Sequence, residues 1–88
     1  MNSVATENFW KLYRDMPEAI RRQAREAYRL FVGNPLHPGL SFERLRCDPL
    51  LWSVRVTRDY RVVGRKHEDT MIWFWIGTHN EFDRSFPA

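Results

Sequence analysis

Two arginines and one histidine are the residues of this chain whose chemistry and spacing suggest a reaction. Arg55 and Arg61 lie in two segments that are predicted to be neighbouring strands, and His79 follows the next apolar segment. An imidazole can exchange a proton near neutral pH, and guanidinium groups can bind phosphate and stabilise charge that develops on it. This set suits RNA cleavage by the 2′-hydroxyl group. The spacing leaves a second interpretation equally open, in which the arginines pair with carboxylates and His79 caps a helix.

The turn between the two arginine strands decides whether both arginines lie on one face. A two-residue turn at Arg58–Asp59 would place them on opposite faces, because a slip of one residue reverses every side chain. A loop over residues 58–60 places Arg55, Arg61 and Val63 on one face and the apolar residues Trp52, Val54, Val56 and Val62 on the other. We therefore predict the three-residue loop, with helices covering the apolar face and an open basic groove on the other.

The N-terminal third predicts a helical hairpin. Residues 2–6 form a weak candidate for a first strand, and Thr6 can cap a first helix. Asp15 and Glu18 have the spacing of a capping box for a second helix, which Gly33 closes. The arginines of this helix are either a solvated face, paired as Glu18–Arg22 and Arg22–Glu26, or an RNA-binding surface.

The remainder predicts a sheet of short strands. Residues 40–46 form a candidate short strand, and the alternation from Trp52 onward is typical of half-buried strands. The segment from Met71 to Gly77 is apolar on both faces, so it is predicted to be a central strand covered on both sides. Residues 79–86 are expected to form a final short helix or an ordered tail.

Composition excludes several classes of protein. With 88 residues, 43% of them apolar, the chain is expected to form a single domain over residues 1–88. Twelve of its 14 cationic residues are arginines and the net charge is +3, which hints at an anionic partner. The single cysteine excludes a disulfide framework and favours a reduced, cytoplasmic setting. The longest apolar run is far shorter than the roughly 20 residues of a membrane span.

A metal site and a cofactor are not expected. His79, Glu81 and Asp83 are spaced like a small ligand cluster. Metal-binding histidines usually occur in sets, however, so one histidine with two carboxylates is a weak signal. The chain also has no glycine-rich phosphate loop.

Taken together, these segments resemble the RelE/ParE superfamily of bacterial type II toxins. The resemblance lies in the order of a helical hairpin ending in Asn-Pro, a Leu-Arg segment, and strands that contain Trp-Ser-Val-Arg-Val, Tyr-Arg-Val-Val and Ile-Gly-Thr-His. It implies an α+β fold, in which the N-terminal hairpin packs on a small, mostly antiparallel, twisted sheet. It also implies a cognate antitoxin that neutralises the toxin and joins it in binding operator DNA. No membrane partner is expected.

Within that superfamily, RelE-type members cleave mRNA on the ribosome without a metal, whereas ParE-type members poison DNA gyrase. Arg61 matches the family's phosphate-binding arginine, Arg55 matches a basic residue of the preceding strand, and His79 falls on or next to the catalytic position after the Ile-Gly strand. Ser53 replaces a second basic residue. A C-terminal tyrosine is missing, and Phe82 and Phe86 occupy its region.

The resemblance therefore favours a ribosome-dependent, metal-independent mRNA endonuclease that inhibits translation. Its expected catalytic residues are Arg55, Arg61 and His79, with Glu81 as a second proton-transfer or orienting group. The alternatives are a gyrase-directed toxin without nuclease activity and a weakly catalytic module that mainly binds its antitoxin. The cationic residues expected to contact RNA or the ribosome are Arg22, Arg25, Arg29, Arg44, Arg46 and Arg65.

Overall fold

The protein folds as a five-stranded sheet with three α-helices, in a computed structural model that describes residues 1–87. The elements follow the chain as β1 (Asn2–Ala5), α1 (Glu7–Arg14), α2 (Glu18–Gly33), β2 (Glu43–Arg44), β3 (Leu51–Thr57), β4 (Tyr60–His67), β5 (Thr70–Thr78) and α3 (His79–Ser85). A single 3₁₀ turn, Pro38–Leu40, precedes β2. The predicted strand over residues 40–46 therefore shortens to two residues.

The strands lie in the order β1-β5-β4-β3-β2. β1 pairs with β5 in parallel, and every other pair is antiparallel. This arrangement confirms the α+β class and the mostly antiparallel sheet. It also places β5, the most apolar strand, between two neighbours, as its composition predicted.

The two N-terminal helices pack mainly on different strands of the sheet, so the predicted helical hairpin is confirmed only in part. The side chain of Thr6 accepts a hydrogen bond from the Phe9 amide and caps α1, as predicted. The predicted capping box of α2 is wrong: Asp15 ends α1 through its own amide, and Pro17 precedes α2 without a side-chain cap. α1 packs on β5 and α2 packs on β3. In residues 1–87, no helix is both long enough and apolar enough to cross a bilayer.

The core lies between these helices and one face of the sheet, which we call the helix face. Its most buried helical residue is Phe31, which is 2% exposed and packs edge-on against Trp73. Val54, Val62 and Trp73 lie on the helix face and close the core from the sheet side. The ring of Trp73 covers Gly64 so closely that a Cβ at position 64 would lie within 3 Å of it. The alternating apolar residues of β3 and β4 therefore face the core, as the sequence predicted.

The β3–β4 turn differs from the prediction, although the predicted faces are correct. Thr57 pairs with Tyr60, so the turn has two residues rather than three. A register shift between Arg55 and Thr57 accommodates one extra residue on β3 and sets Arg55 directly opposite Arg61. The extra residue of a bulge moves every earlier side chain of that strand to the opposite face. A loop longer by one residue would have the same effect. The two arginines consequently share a face after all.

The opposite face, which we call the α3 face, is only partly open. Ser53 and Val63 pair across β3 and β4 and are both buried, with exposures of 1% and 0%. Val63 also pairs with Trp75, whose ring packs against Phe86 of the C-terminal segment. The predicted open basic groove is therefore wrong along the middle of the sheet. It persists only at the end that carries Arg61.

Candidate functional site

Arg61 and His79 meet at the end of the sheet where β5 leads into α3. The Nε–H of Arg61 donates a hydrogen bond to Nδ1 of His79 at 3.3 Å. The two residues are 18 positions apart in the chain, and the sheet joins them because Arg61 pairs with Gly77, two residues before His79. In residues 1–87 no hydrogen bond uses the two terminal nitrogens of Arg61, so they can bind an anion. The predicted grouping of these two residues is present.

The N-terminus of α3 is fixed by a capping box that orients His79. The hydroxyl of Thr78 accepts from the amide of Glu81, and the Glu81 carboxylate accepts from the amide of Thr78 at 3.0 Å. The Thr78 hydroxyl also donates to the Glu81 carboxylate at 2.9 Å, and the two bonds that the carboxylate accepts, first from the amide and then from the hydroxyl of Thr78, hold the pKa of Glu81 below its usual range. The amide of His79 also donates to the carbonyl of Asp59 at 2.7 Å. Glu81, which the sequence placed in the catalytic set, is thus occupied by the cap.

Phe82 provides an aromatic wall beside the pair. The guanidinium carbon of Arg61 lies 5.3 Å from the centre of the Phe82 ring, within the range of a cation–π contact. The imidazole of His79 lies nearly parallel to the same ring, with centroids 6.2 Å apart and an interplanar angle of 19°. Phe82 therefore limits how far either side chain can rotate towards it.

Asp83 is a neighbour of His79 that the sequence reasoning considered only as a metal ligand. One carboxylate oxygen, Oδ2, lies 3.4 Å from Nε2 of His79. The spacing of four residues puts both side chains on one side of α3, so the contact was detectable once residues 79–86 were known to be helical. In residues 1–87 no group of three metal-binding side chains comes together.

Arg55 adds a second cation to the site. It lies directly across the β3–β4 ladder from Arg61, and its side chain is exposed. Like charges directly opposite each other on a sheet repel, and an anion between them removes that penalty. The two cations thus lie opposite each other on the ladder.

Three of the four arginines of α2, namely Arg21, Arg25 and Arg29, are engaged with partners of their own. Arg25 donates to the hydroxyl of Tyr13 at 2.8 Å, and Arg29 forms an ion pair with Glu26. The predicted pairs Glu18–Arg22 and Arg22–Glu26 are wrong, because Glu18 pairs with Arg21 at 2.6 Å instead. Arg22 is exposed on this helix. These residues belong to an element that packs on the helix face, away from His79.

The other three candidate RNA-binding arginines lie apart from the site. Arg44 is exposed on β2 and Arg46 just beyond it. Arg65 is exposed on β4, four residues from Arg61, which corresponds to about 13 Å along a strand. The structure therefore brings Arg61 and His79 into contact and sets Arg55 opposite Arg61 on the ladder, where Arg55 also lines a small cavity beside α2. The other three cations are separate surface charges.

A large apolar cleft opens on the other side of the molecule, between α1, α2 and the helix face. We call it the helix cleft; its volume is about 520 Å³. Two aromatic side chains at its rim, Trp10 and Tyr28, are nearly half exposed at 46% and 48%. The residues lining it also include Val4, Phe9, Tyr13, Arg25, Phe31, Val54 and Val62. An exposed apolar concavity of this kind marks a site for an apolar partner.

Comparison with known protein families identifies the class. The model of the ParE-like toxin domain matches residues 18–84, which include α2, the whole β2–β5 sheet and the Arg61–His79 site. The chain therefore belongs to the ParE-like toxin domain family. Among curated proteins, no sequence matches this chain.

Solved structures of toxins share the fold. The toxin-antitoxin complex RelB-RelE from Methanococcus jannaschii contains a chain with 16% identity and a TM-score of 0.76; the match covers 96% of this chain and 99% of that one. YafQ from Escherichia coli BL21(DE3) has 13% identity and a TM-score of 0.73, and the match covers 92% of this chain and 96% of that one. The YoeB/ParE toxin from Agrobacterium tumefaciens has 21% identity and a TM-score of 0.68, and the match covers 90% of this chain and 99% of that one. The resemblance predicted from the motifs is thus confirmed at the level of family and fold.

Proposed function

We propose that this protein is the toxin of a type II toxin-antitoxin system and a ribosome-dependent, metal-independent mRNA endonuclease. The observation that carries the proposal is the 3.3 Å contact between Arg61 and His79, with Arg55 directly across the ladder. A proton acceptor beside one cation, with a second cation opposite that one on the ladder, supports this reaction. Membership of a toxin family supports the toxin role, and we expect the protein to act in the cytoplasm, where its ribosomal target would be.

The reaction we propose is transesterification of RNA by its 2′-hydroxyl. Nδ1 of His79 accepts the 2′-hydroxyl proton, the 2′-oxygen forms a bond to phosphorus, and the bond from phosphorus to the 5′-oxygen breaks. The leaving 5′-oxygen takes a proton from water, and the imidazolium returns its own proton to the resulting hydroxide. Arg61 and Arg55 stabilise the negative charge that builds on the phosphate oxygens. The products are a 2′,3′-cyclic phosphate and a 5′-hydroxyl end.

Substrate binding must rearrange the pair before this reaction can begin. In the free protein, Arg61 donates to the nitrogen that has to accept the proton. A phosphate is a stronger acceptor for a guanidinium than a neutral imidazole, because the hydrogen bond gains from both charges. The bound phosphate therefore draws Arg61 away and leaves Nδ1 free.

The test is expression of the protein without any antitoxin, with mapping of mRNA 5′ ends. Wild type is expected to stop growth and to cut within translated codons. Arg61→Ala should reduce cutting by roughly 10²- to 10³-fold, the usual loss when a donor to transition-state charge is removed. Arg14→Ala is the matched control, because Arg14 is an exposed arginine in the last turn of α1, outside the candidate site and the expected RNA-binding residues, and it should cut like wild type.

Three results would contradict the nuclease. Growth arrest without new 5′ ends would move the assignment to a protein target, and equal cutting by wild type and Arg61→Ala would exclude the proposed site. Absence of both arrest and cutting would leave a module that mainly binds its antitoxin.

We further propose that the helix cleft receives an apolar segment of the antitoxin. The half-exposed Trp10 and Tyr28 offer the aromatic anchors that dominate protein interfaces. Several solved neighbours are toxin–antitoxin complexes, including that of Mycobacterium tuberculosis RelBE2. Operator DNA is expected to bind only through the resulting complex.

A gyrase-directed toxin is the second candidate. The observations that favour it are the burial of Ser53, where a second basic residue was expected, and the use of Glu81 in the α3 cap. Both reduce the number of groups available for catalysis. Inhibition of gyrase supercoiling by the purified protein, with mRNA intact, would establish this alternative.

A further inference from the structure

The two nitrogens of the His79 imidazole contact groups of opposite character. Nδ1 accepts a hydrogen bond from the Arg61 guanidinium at 3.3 Å, and Nε2 lies 3.4 Å from a carboxylate oxygen of Asp83. Arg61 comes from β4 and Asp83 from α3 itself. These are the two charged side chains in contact with the ring, one on each of its nitrogens, within residues 1–87.

These contacts select one tautomer of the neutral ring. A nitrogen that accepts a hydrogen bond cannot also carry a proton, so the proton of His79 lies on Nε2. Oδ2 of Asp83 lies 3.4 Å from that nitrogen, which is longer than a standard hydrogen bond. A small rotation of either side chain closes the gap, and both are exposed enough to rotate, at 46% and 60%.

We propose that Asp83 is a positioning residue for His79: its carboxylate accepts a hydrogen bond from the Nε2–H and so holds Nδ1 as the basic atom that faces Arg61 and the substrate. The proposal rests on the nuclease function proposed above. When Nδ1 takes the 2′-hydroxyl proton, the imidazolium keeps its Nε2–H pointed at the carboxylate. Asp83 then stabilises the positive charge without touching RNA.

The surrounding contacts make this orientation reproducible. The capping box of Thr78 and Glu81 fixes the first turn of α3, which carries His79, and the amide of His79 is held by the Asp59 carbonyl. Phe82 closes one side of the ring. The imidazole can still rotate about its side-chain bonds. A carboxylate hydrogen-bonded to Nε2 restricts that rotation.

The first test compares steady-state cleavage of ribosome-bound mRNA by the purified full chain and its variants. Asp83→Ala should lower kcat roughly three- to fivefold with KM unchanged, the size expected for an exposed charge pair. Asp83→Glu should restore most of the rate, because the longer carboxylate still reaches Nε2. Asp69→Ala, which removes a carboxylate from the distant β4–β5 turn, should match wild type.

The results separate this role from the proposed function itself. Failure of wild type to cut would overturn the nuclease and the role of Asp83 with it. Normal cutting by wild type and by Asp83→Ala alike would overturn only the role of Asp83. A rise in KM at constant kcat would also overturn it, because Asp83 would then bind RNA directly.

The second test needs no substrate. The ring ¹⁵N chemical shifts of the three histidines report which nitrogen carries the proton. In Asp83→Ala the shifts of His79 should change, and those of His37 and His67 should not. Unchanged His79 shifts would show that the carboxylate does not hold the ring in solution and would overturn the proposal.

Discussion

The two faces of the sheet differ in what they bury. The helix face packs Val54, Val62 and Trp73 against Phe31 and holds most of the apolar core. The α3 face carries Arg55, Arg61 and His79, and α3 contains no buried residue. Burial of apolar area is the main source of stability in a domain of this size, so the helix face supplies most of it. The residues of the candidate site can therefore change with little effect on folding.

The largest expected effect compares one phenylalanine from each face. Phe31→Ala should lower the free energy of unfolding by about 3–5 kcal/mol, because it leaves a cavity in the core. Phe82→Ala should cost about 1 kcal/mol or less, since Phe82 is only partly buried. Urea unfolding of both variants measures the difference. Equal losses would show that α3 is as much a part of the core as α2.

A second prediction concerns the partner on the helix face. Tyr28→Ala should weaken binding of the antitoxin by roughly tenfold or more, as expected for an aromatic anchor at an interface. Val32→Ala, one turn further along α2 and 64% exposed outside the helix cleft, is the matched control. Calorimetric titration gives both dissociation constants.

Cleavage by the antitoxin-free Tyr28→Ala variant should equal that of wild type. The comparison of the two faces would fail if this variant lost nuclease activity while keeping its affinity for the antitoxin. That result would mean that the helix cleft serves the reaction rather than the partner.

The smallest expected effect is acid-dependent loss of the α3 cap. The folded pKa of Glu81 is held below its unfolded value by hydrogen bonds from Thr78. This contribution to stability is therefore complete above the unfolded value of about 4.3, and it is lost as the pH falls through the lower folded pKa. The backbone amide resonance of Thr78 should report it.

The matched control is Glu81→Gln. A glutamine amide oxygen still accepts from the Thr78 amide but does not titrate, so the acid response of Thr78 should disappear. The amide of Val63, in the buried sheet, should not move in either protein over that range. A Thr78 response that persists in Glu81→Gln would assign it to another carboxyl group.

The strands illustrate how far local sequence pattern predicts this fold. Alternation in β3 and β4 correctly separated Val54 and Val62 from the arginines, because the side-chain period of a strand is two. The route to that result was wrong, since a bulge near Val56 replaced the three-residue loop. A three-residue loop and a bulge place the same side chains on the same faces, so only the hydrogen-bonded register distinguishes them.

The helix termini show the limit of spacing rules. Asp15 and Glu18 matched a capping box, yet Asp15 completes α1 and Glu18 pairs with Arg21. The three-residue linker holds the C-cap of α1 and the N-cap of α2, and the sequence alone does not show which helix end a polar residue of the linker will cap. The Thr78–Glu81 box was not predicted, although it has the same spacing and is formed.

The sequence by itself determined the α+β class, the faces of β3 and β4 and the residue types of the candidate site. These follow from periodicity and from side-chain chemistry, which are local properties. Tertiary structure decided which of the 12 arginines reaches a histidine, since pairing of β4 with β5 brings Arg61 to His79 across 18 residues. It also decided that Glu81 caps a helix while Asp83 faces the imidazole. Such contacts depend on register and on the start of α3, and both are fixed only when the whole sheet has formed.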